Sequence, residues 1–127
     1  MSPQALKTLS CVVLGVIFVG AGVLHLVKPG MYLRIMPPWL PAPALLVLLS
    51  GIAEIVGGVG LFIPAVRVAA GWGLVALLVA VFPANLHMAL HADSFSTLAP
   101  AWALWVRLPL QGVLIAWVLW SVSPSSL

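Results

Sequence analysis

Pro43-Ala-Leu-Leu-Val-Leu-Leu-Ser-Gly-Ile-Ala-Glu-Ile-Val-Gly-Gly-Val-Gly-Leu-Phe-Ile63 decides the fold. It is an unbroken apolar run, long enough as a helix to cross a bilayer, and carries one ionisable residue, Glu54. Glu54 is the chain's only glutamate. A carboxylate near the centre of such a run is costly in lipid unless it faces protein or water, so its surroundings hold most of the functional information.

Three further runs of the same kind flank it. The expected spans are 5–27, 42–63, 68–90 and 102–122, within a single domain of residues 1–127. Lys28, Pro29 and Gly30 stop the first span. Pro41 and Pro43 suit the first turn of the second, where an amide lacks a partner in any case. Pro64 ends the second, and Pro64-Ala-Val-Arg67 is so short that spans two and three must be antiparallel neighbours. The expected fold is all-α, an integral membrane four-helix bundle.

Composition agrees. Of 127 residues, 64% are hydrophobic and 6% charged, against roughly 25% charged in a soluble domain. So few charges cannot cover a water-facing surface. The net charge of +3 is too small and scattered for nucleic acid and fits anionic lipid headgroups, so membrane lipids are the expected partners. The single cysteine, Cys11, sits in an apolar run and cannot form an internal disulfide or a Cys-x-x-Cys pair. The first span ends in His-Leu-Val-Lys-Pro without a small-residue cleavage site, so it reads as a retained anchor rather than a removed signal peptide.

Four spans put both termini on one side, A. Side B then holds the connections 28–41 and 91–101. Met36-Pro-Pro-Trp-Leu-Pro-Ala-Pro43 is too rich in proline for regular structure, and with Tyr32 and Trp39 it is expected at headgroup level. Trp102 and Trp105 would join that belt, with Trp117, Trp120 and Trp72 in the one opposite. At the helical rise Trp105 and Trp120 are about 22 Å apart, a fitting separation for two interfaces. Lys7 and Arg67 on side A, with Arg107 tucked into the bundle, favour cytoplasmic termini.

The intramembrane polar residues are Ser50, Glu54, His25, Asn85, His87, Arg107 and Gln111. His25 ends span one on side B, and Asn85 and His87 lie near the side B end of span three. Arg107 and Gln111 are in the first turns of span four, again on side B. Glu54 lies about 18 Å and Gln111 about 14 Å from the side B ends of their spans. All four helices thus contribute to one half of the bilayer. Ser50 and Glu54 share a helix face, as do Arg107 and Gln111. Pro83 and Pro109 each free a carbonyl one turn upstream, which needs a polar partner at membrane depth. The expectation is a polar pocket open toward side B, with Glu54 at its floor, ion-paired with Arg107 or protonated, and with space beside it left by Gly57 and Gly58. The competing reading is a polar network that only fixes helix register. His87 and His91 are four apart with Asp93 nearby, but no third ligand stands at a recognisable spacing, and no bound metal is expected. Walker, dinucleotide-binding, nucleophile-elbow and haem-attachment motifs are absent.

Several of these stretches together resemble the DoxX-like family of small bacterial membrane proteins. They are Gly22-Val-Leu-His25 with Pro29; Ile35-Met-Pro-Pro-Trp-Leu-Pro41; Leu49 to Leu61 with Pro64 and Arg67; Val81-Phe-Pro-Ala-Asn-Leu-His-Met-Ala89; and Arg107-Leu-Pro-Leu-Gln111. The resemblance implies a four-helix bundle in the bacterial inner membrane and matches His25, Glu54, Asn85, Arg107 and Gln111 to recurrent polar positions. Proteins named for that fold include a subunit of a thiosulfate:quinone oxidoreductase, a maturation protein for methylamine dehydrogenase and an animal receptor-assembly chaperone, so fold alone does not choose a function. The expectation drawn here is a site for a lipophilic small molecule, quinone- or lipid-like, serving as an accessory to an oxidoreductase. The alternative is a non-catalytic assembly protein that holds a protein partner or further copies of itself.

Overall fold

The computed structural model describes residues 1–34, 36–95 and 100–124. The described residues are helical and contain no strand. The spans are α1 (Pro3–Val27), α3 (Pro43–Phe62), α4 (Arg67–Leu90) and α5 (Ala101–Val122), each long and apolar enough to cross a membrane. They match the expected spans to within two residues. α2 (Pro29–Leu33) is a short helix that the proline- and glycine-based reading of the connection did not include. It forms because Pro29 takes a first helical turn position, where its missing N–H costs nothing. The connection 91–101 opens with a 3-10 turn, Ala92–Phe95, and its residues 96–99 lie outside the described residues. The same holds for 125–127, in the tail expected to fray.

The exterior is apolar. Val16, Val56, Val79 and Val113, one from each span, are 59–65% exposed. A surface of this kind is stable only against lipid, and the chain is an integral multi-pass membrane protein.

The helices form a ring in which α1 touches α3, α3 touches α4, α4 touches α5 and α5 returns to α1. The α1–α3 contact is the closest, and glycine makes it so. Gly15 and Gly22 are seven apart on α1, as are Gly51 and Gly58 on α3. In the antiparallel pair Gly15 meets Gly58 and Gly22 meets Gly51: an added Cβ would lie 2.9 Å from the Gly58 carbonyl oxygen in the first case and 2.6 Å from that of Gly51 in the second. Lipid provides no hydrophobic force between helices, so such backbone approach supplies the dispersion contact that holds them.

Two cores divide the bundle by depth. In the side A half, Cys11, Leu14, Phe18, Leu61, Leu74, Val118 and Val122 join all four spans. In the side B half, Met88, Ala89, Phe95 and Leu104 join only α4, α5 and the 3-10 turn. There the α1–α3 pair and the α4–α5 pair stand apart. At the side A surface two cations close helix ends. Lys7 Nζ donates to Ser123 Oγ at 2.9 Å and to the Pro124 carbonyl at 3.0 Å, and Arg67 Nε donates to the Leu61 carbonyl at 2.7 Å. Both groups meet the partly negative C-terminal end of a helix.

Candidate functional site

The gap between the helix pairs is a cavity of about 340 Å³. His25 lines it from α1, Tyr32 from α2 and Met36 from the following loop. Leu46, Val47, Ser50 and Glu54 line it from α3; Leu78, Val81, Ala84 and Asn85 from α4; Arg107, Leu110, Gln111 and Leu114 from α5. On α3, α4 and α5 these residues recur at three- and four-residue intervals, so each of those helices presents one face. The lining runs from the side B ends of the spans to just past their middles, at Glu54 and Leu114. Leu110 is both a lining residue and 56% exposed, so the cavity reaches the lipid-facing flank of α5.

Glu54 lies against His25. Its Oε2 is 3.4 Å from His25 Nδ1, both side chains being 12% exposed. The same Nδ1 is 2.8 Å from the Ala21 carbonyl oxygen. One ring hydrogen cannot serve both well, and the shorter contact takes it. The contact with Glu54 is therefore electrostatic, and Oε2 is buried without a hydrogen bond. The imidazole is fixed from its other face by Tyr32, whose ring stacks on it at 3.7 Å between centroids and 17° between planes. Burial first, and the nearby Glu54 carboxyl second, push the Tyr32 phenol above its ordinary pKa while Arg107 draws it back. The phenol is thus a neutral hydroxyl at ordinary pH.

A second polar chain ties α4 to α5. Asn85 Nδ2 donates to Gln111 Oε1 at 2.5 Å, and Gln111 Nε2 donates to the Leu78 carbonyl. Gln111 is only 7% exposed. Its amide has a donor and an acceptor on one planar group, so it bridges a side chain and a backbone oxygen of the same neighbouring helix. Pro83 lies between those two attachment points, in the helix segment it loosens.

Six of the seven polar residues singled out from the sequence line this one cavity: His25, Ser50, Glu54, Asn85, Arg107 and Gln111. His87 does not. It is two residues from Asn85, about 200° around the helix, and faces the other way. Its ring packs on His91 at 4.3 Å and edge-on to Phe95 at 6.1 Å. The Glu54–Arg107 ion pair is also absent. Among the described residues the one ion-pair contact is His25–Glu54, and Arg107 Nη1 lies 4.0 Å from Met88 Sδ. Gly57 and Gly58 leave no space beside the carboxyl: an added Cβ would meet Leu74 at 2.6 Å and the Gly15 carbonyl oxygen at 2.9 Å respectively. The cavity opens instead toward Ser50 and Leu46, one and two turns nearer side B. Tyr32 and Met36, read from the sequence only as part of the connecting segment, also wall the cavity, with the Tyr32 ring stacked on His25. Their signal was weak: Tyr32 is the only tyrosine in the chain, and its ring comes back to His25 only through the helical turn after Lys28. Trp117, expected in an interfacial belt, is partly buried against the side A core. Among the described residues no three His, Cys, Asp or Glu side chains group closely enough to hold a metal.

A family model described as a domain of unknown function, DUF8561, matches residues 14–122. No curated protein and no solved structure matches the chain. The matched stretch takes in α3, α4 and α5 whole, the second half of α1 and every residue that lines the cavity, and the chain belongs to the DUF8561 family.

Proposed function

We propose that this protein binds, between its two helix pairs, a lipophilic small molecule with a polar head, quinone- or lipid-like, and that it does so as an accessory to a membrane oxidoreductase. The observation that carries this reading is the content of the cavity wall. Polar groups that cost free energy at membrane depth converge on one space of about 340 Å³ whose remaining wall is aliphatic. That combination, an apolar pocket with a few convergent polar groups, is what small-molecule sites share. The size lies at the lower end of such sites and admits one ring-sized head rather than two acyl chains. The motif likeness to DoxX-like proteins supports placement in a bacterial cytoplasmic membrane. Lys7 and Arg67 at the side A helix ends support cytoplasmic termini.

Native mass spectrometry of the protein released from mild detergent or nanodiscs tests this. The wild type is expected to carry a bound small lipophile, and Leu46→Trp, which fills the cavity, to lose it. Equal content in the two proteins would remove the reading.

One observation favours a second reading, a non-catalytic assembly protein with a structural polar network: both ends of the Gln111 amide are used within the protein. It expects partner copurification to survive Glu54→Leu and to fail when a bulky residue replaces an exposed glycine such as Gly73.

A further inference from the structure

Resting on the cavity reading above, we infer that the ligand presents a hydroxyl to Glu54, with its head inward and its apolar body leaving past Leu110 into the lipid. The first ground is which hydrogen-bonding groups remain free. Neither Glu54 oxygen has a donor among the described residues. Oε2 is buried against His25, and Oε1 is the oxygen left accessible on a residue that lines the cavity. Ser50, Tyr32 and Arg107 also line the cavity with hydrogens of their own, and none of these is given to Glu54. Three further neighbours each commit a hydrogen elsewhere. The His25 Nδ1 hydrogen goes to Ala21, the Asn85 amide to Gln111, and the Gln111 amide to Leu78. None of these three bonds brings a hydrogen to the Glu54 carboxyl. A carboxyl retains a lone-pair oxygen in either protonation state. The Glu54 carboxyl is therefore the acceptor left for a ligand hydroxyl to fill.

The second ground is direction. The deep end, at Glu54 and Leu114, adjoins the packed side A core. The half-exposed Leu110 marks where the cavity meets the bundle exterior. An amphiphile reaching the site from the bilayer arrives through that flank with its polar end leading, as the chemistry of the two ends requires.

Two sources share this chemistry: a hydroquinone, and a membrane alcohol. An oxidised quinone has only carbonyl acceptors and no hydrogen to give the Glu54 oxygen, so the inference separates the reduced from the oxidised form. Loss of a buried hydrogen bond of this kind corresponds to about tenfold in affinity.

The test uses the whole purified protein in nanodiscs, with affinity read from the shift in thermal unfolding as probe is titrated. The probes are decyl hydroquinone, its dimethyl ether, the matching quinone, and decanol with its methyl ether. Hydroxyl probes are expected to bind about tenfold more tightly than their ethers, and hydroquinone similarly more tightly than quinone. In Glu54→Leu, an apolar replacement suited to a lipid-embedded helix, the preference is expected to fall to about twofold or less. Glu54→Met serves where that variant does not fold, since it keeps the side-chain length and removes both carboxyl oxygens. A preference shown by the alcohol pair as well supports the inference with a membrane alcohol as source, and one confined to hydroquinone supports it with a quinol. Ethers binding as tightly as hydroxyls, or a preference that survives both substitutions, overturns the inference and leaves the cavity reading standing. Failure of every probe, ethers included, overturns both.

Discussion

Gly22 and Gly51 stand face to face across α1 and α3, so close that a Cβ on Gly22 would lie 2.6 Å from the Gly51 carbonyl oxygen and equally near the Ile55 side chain. Backbone cannot retreat as the end of a flexible side chain can. Gly22→Leu is therefore expected to force the helices apart and to destabilise the bundle by about 1–3 kcal/mol or more, the range for overpacking. Gly20, on the same helix, has nothing within 4 Å of an added Cβ, so Gly20→Leu is expected to stay within about 0.5 kcal/mol of wild type. Reversible unfolding in mixed micelles compares the two. Equal stability of the variants would contradict the close approach.

The Gln111 amide holds α5 to α4 at two points, through Asn85 and the Leu78 carbonyl. Gln111→Leu keeps the approximate volume and removes both bonds, leaving the Asn85 amide without this partner. The expected cost is about 1–3 kcal/mol. A double-mutant cycle with Asn85→Leu isolates the side-chain pair, with a coupling of about 0.6–2 kcal/mol expected. Coupling near zero would mean that the two amides do not bond in the membrane.

The spans were legible because a bilayer allows one solution to a long apolar run, and Pro29, Pro43 and Pro64 mark its ends. The one-sided polar cluster was legible for the same reason: each polar side chain is expensive in lipid, and alternating helix direction fixes its depth. Rotation about the helix axis was less readable. His87 has the same depth as Asn85, but two residues of helix turn it away from the cavity. The glycines misled in a related way. Gly57 and Gly58 suggest room beside Glu54, yet a missing side chain leaves space only if the neighbour does not move in, and Gly15 and Leu74 do. Tyr32 was hidden because its approach to His25 depends on the path of the chain after Lys28, which local pattern does not specify.

The two histidines give a direct contrast. His25 lines the cavity and lies between Tyr32 and Glu54, whereas His87 packs on His91 outside it. His87→Phe preserves an aromatic ring beside His91 and is expected to retain the amount of copurified small lipophile seen in the wild type. His25→Phe keeps the stacking surface for Tyr32 but removes the polar neighbour of Glu54. It is expected to reduce retention by about tenfold, the equivalent of one buried polar interaction. Mass-spectrometric quantification of extracted lipophiles per protein molecule reads both. Loss in His87→Phe with retention in His25→Phe would place the site elsewhere.

Lys7 provides the last test, at the end of the bundle away from the cavity. The residue is 6% exposed, and its ammonium donates to Ser123 Oγ and the Pro124 carbonyl and lies 5.6 Å from the centre of the Trp120 ring. An ammonium is buried at this cost only if its donors are used, and here they close the C-terminal end of α5, whose last carbonyls have no partner within the helix. Lys7→Met keeps the aliphatic stem against Trp120 and removes the donors. The expected loss is on the order of 1–3 kcal/mol, the range for hydrogen bonds to a charged group. It is local, because the side A core below still joins α1 to α5 through Cys11 and Val118. Hydrogen exchange should therefore rise over the last turn of α5, at Trp120 to Val122, and remain unchanged around Gln111. Exchange that stays slow throughout α5 would show that the lysine does not hold this end, and a rise extending to Gln111 would show that it holds the whole helix.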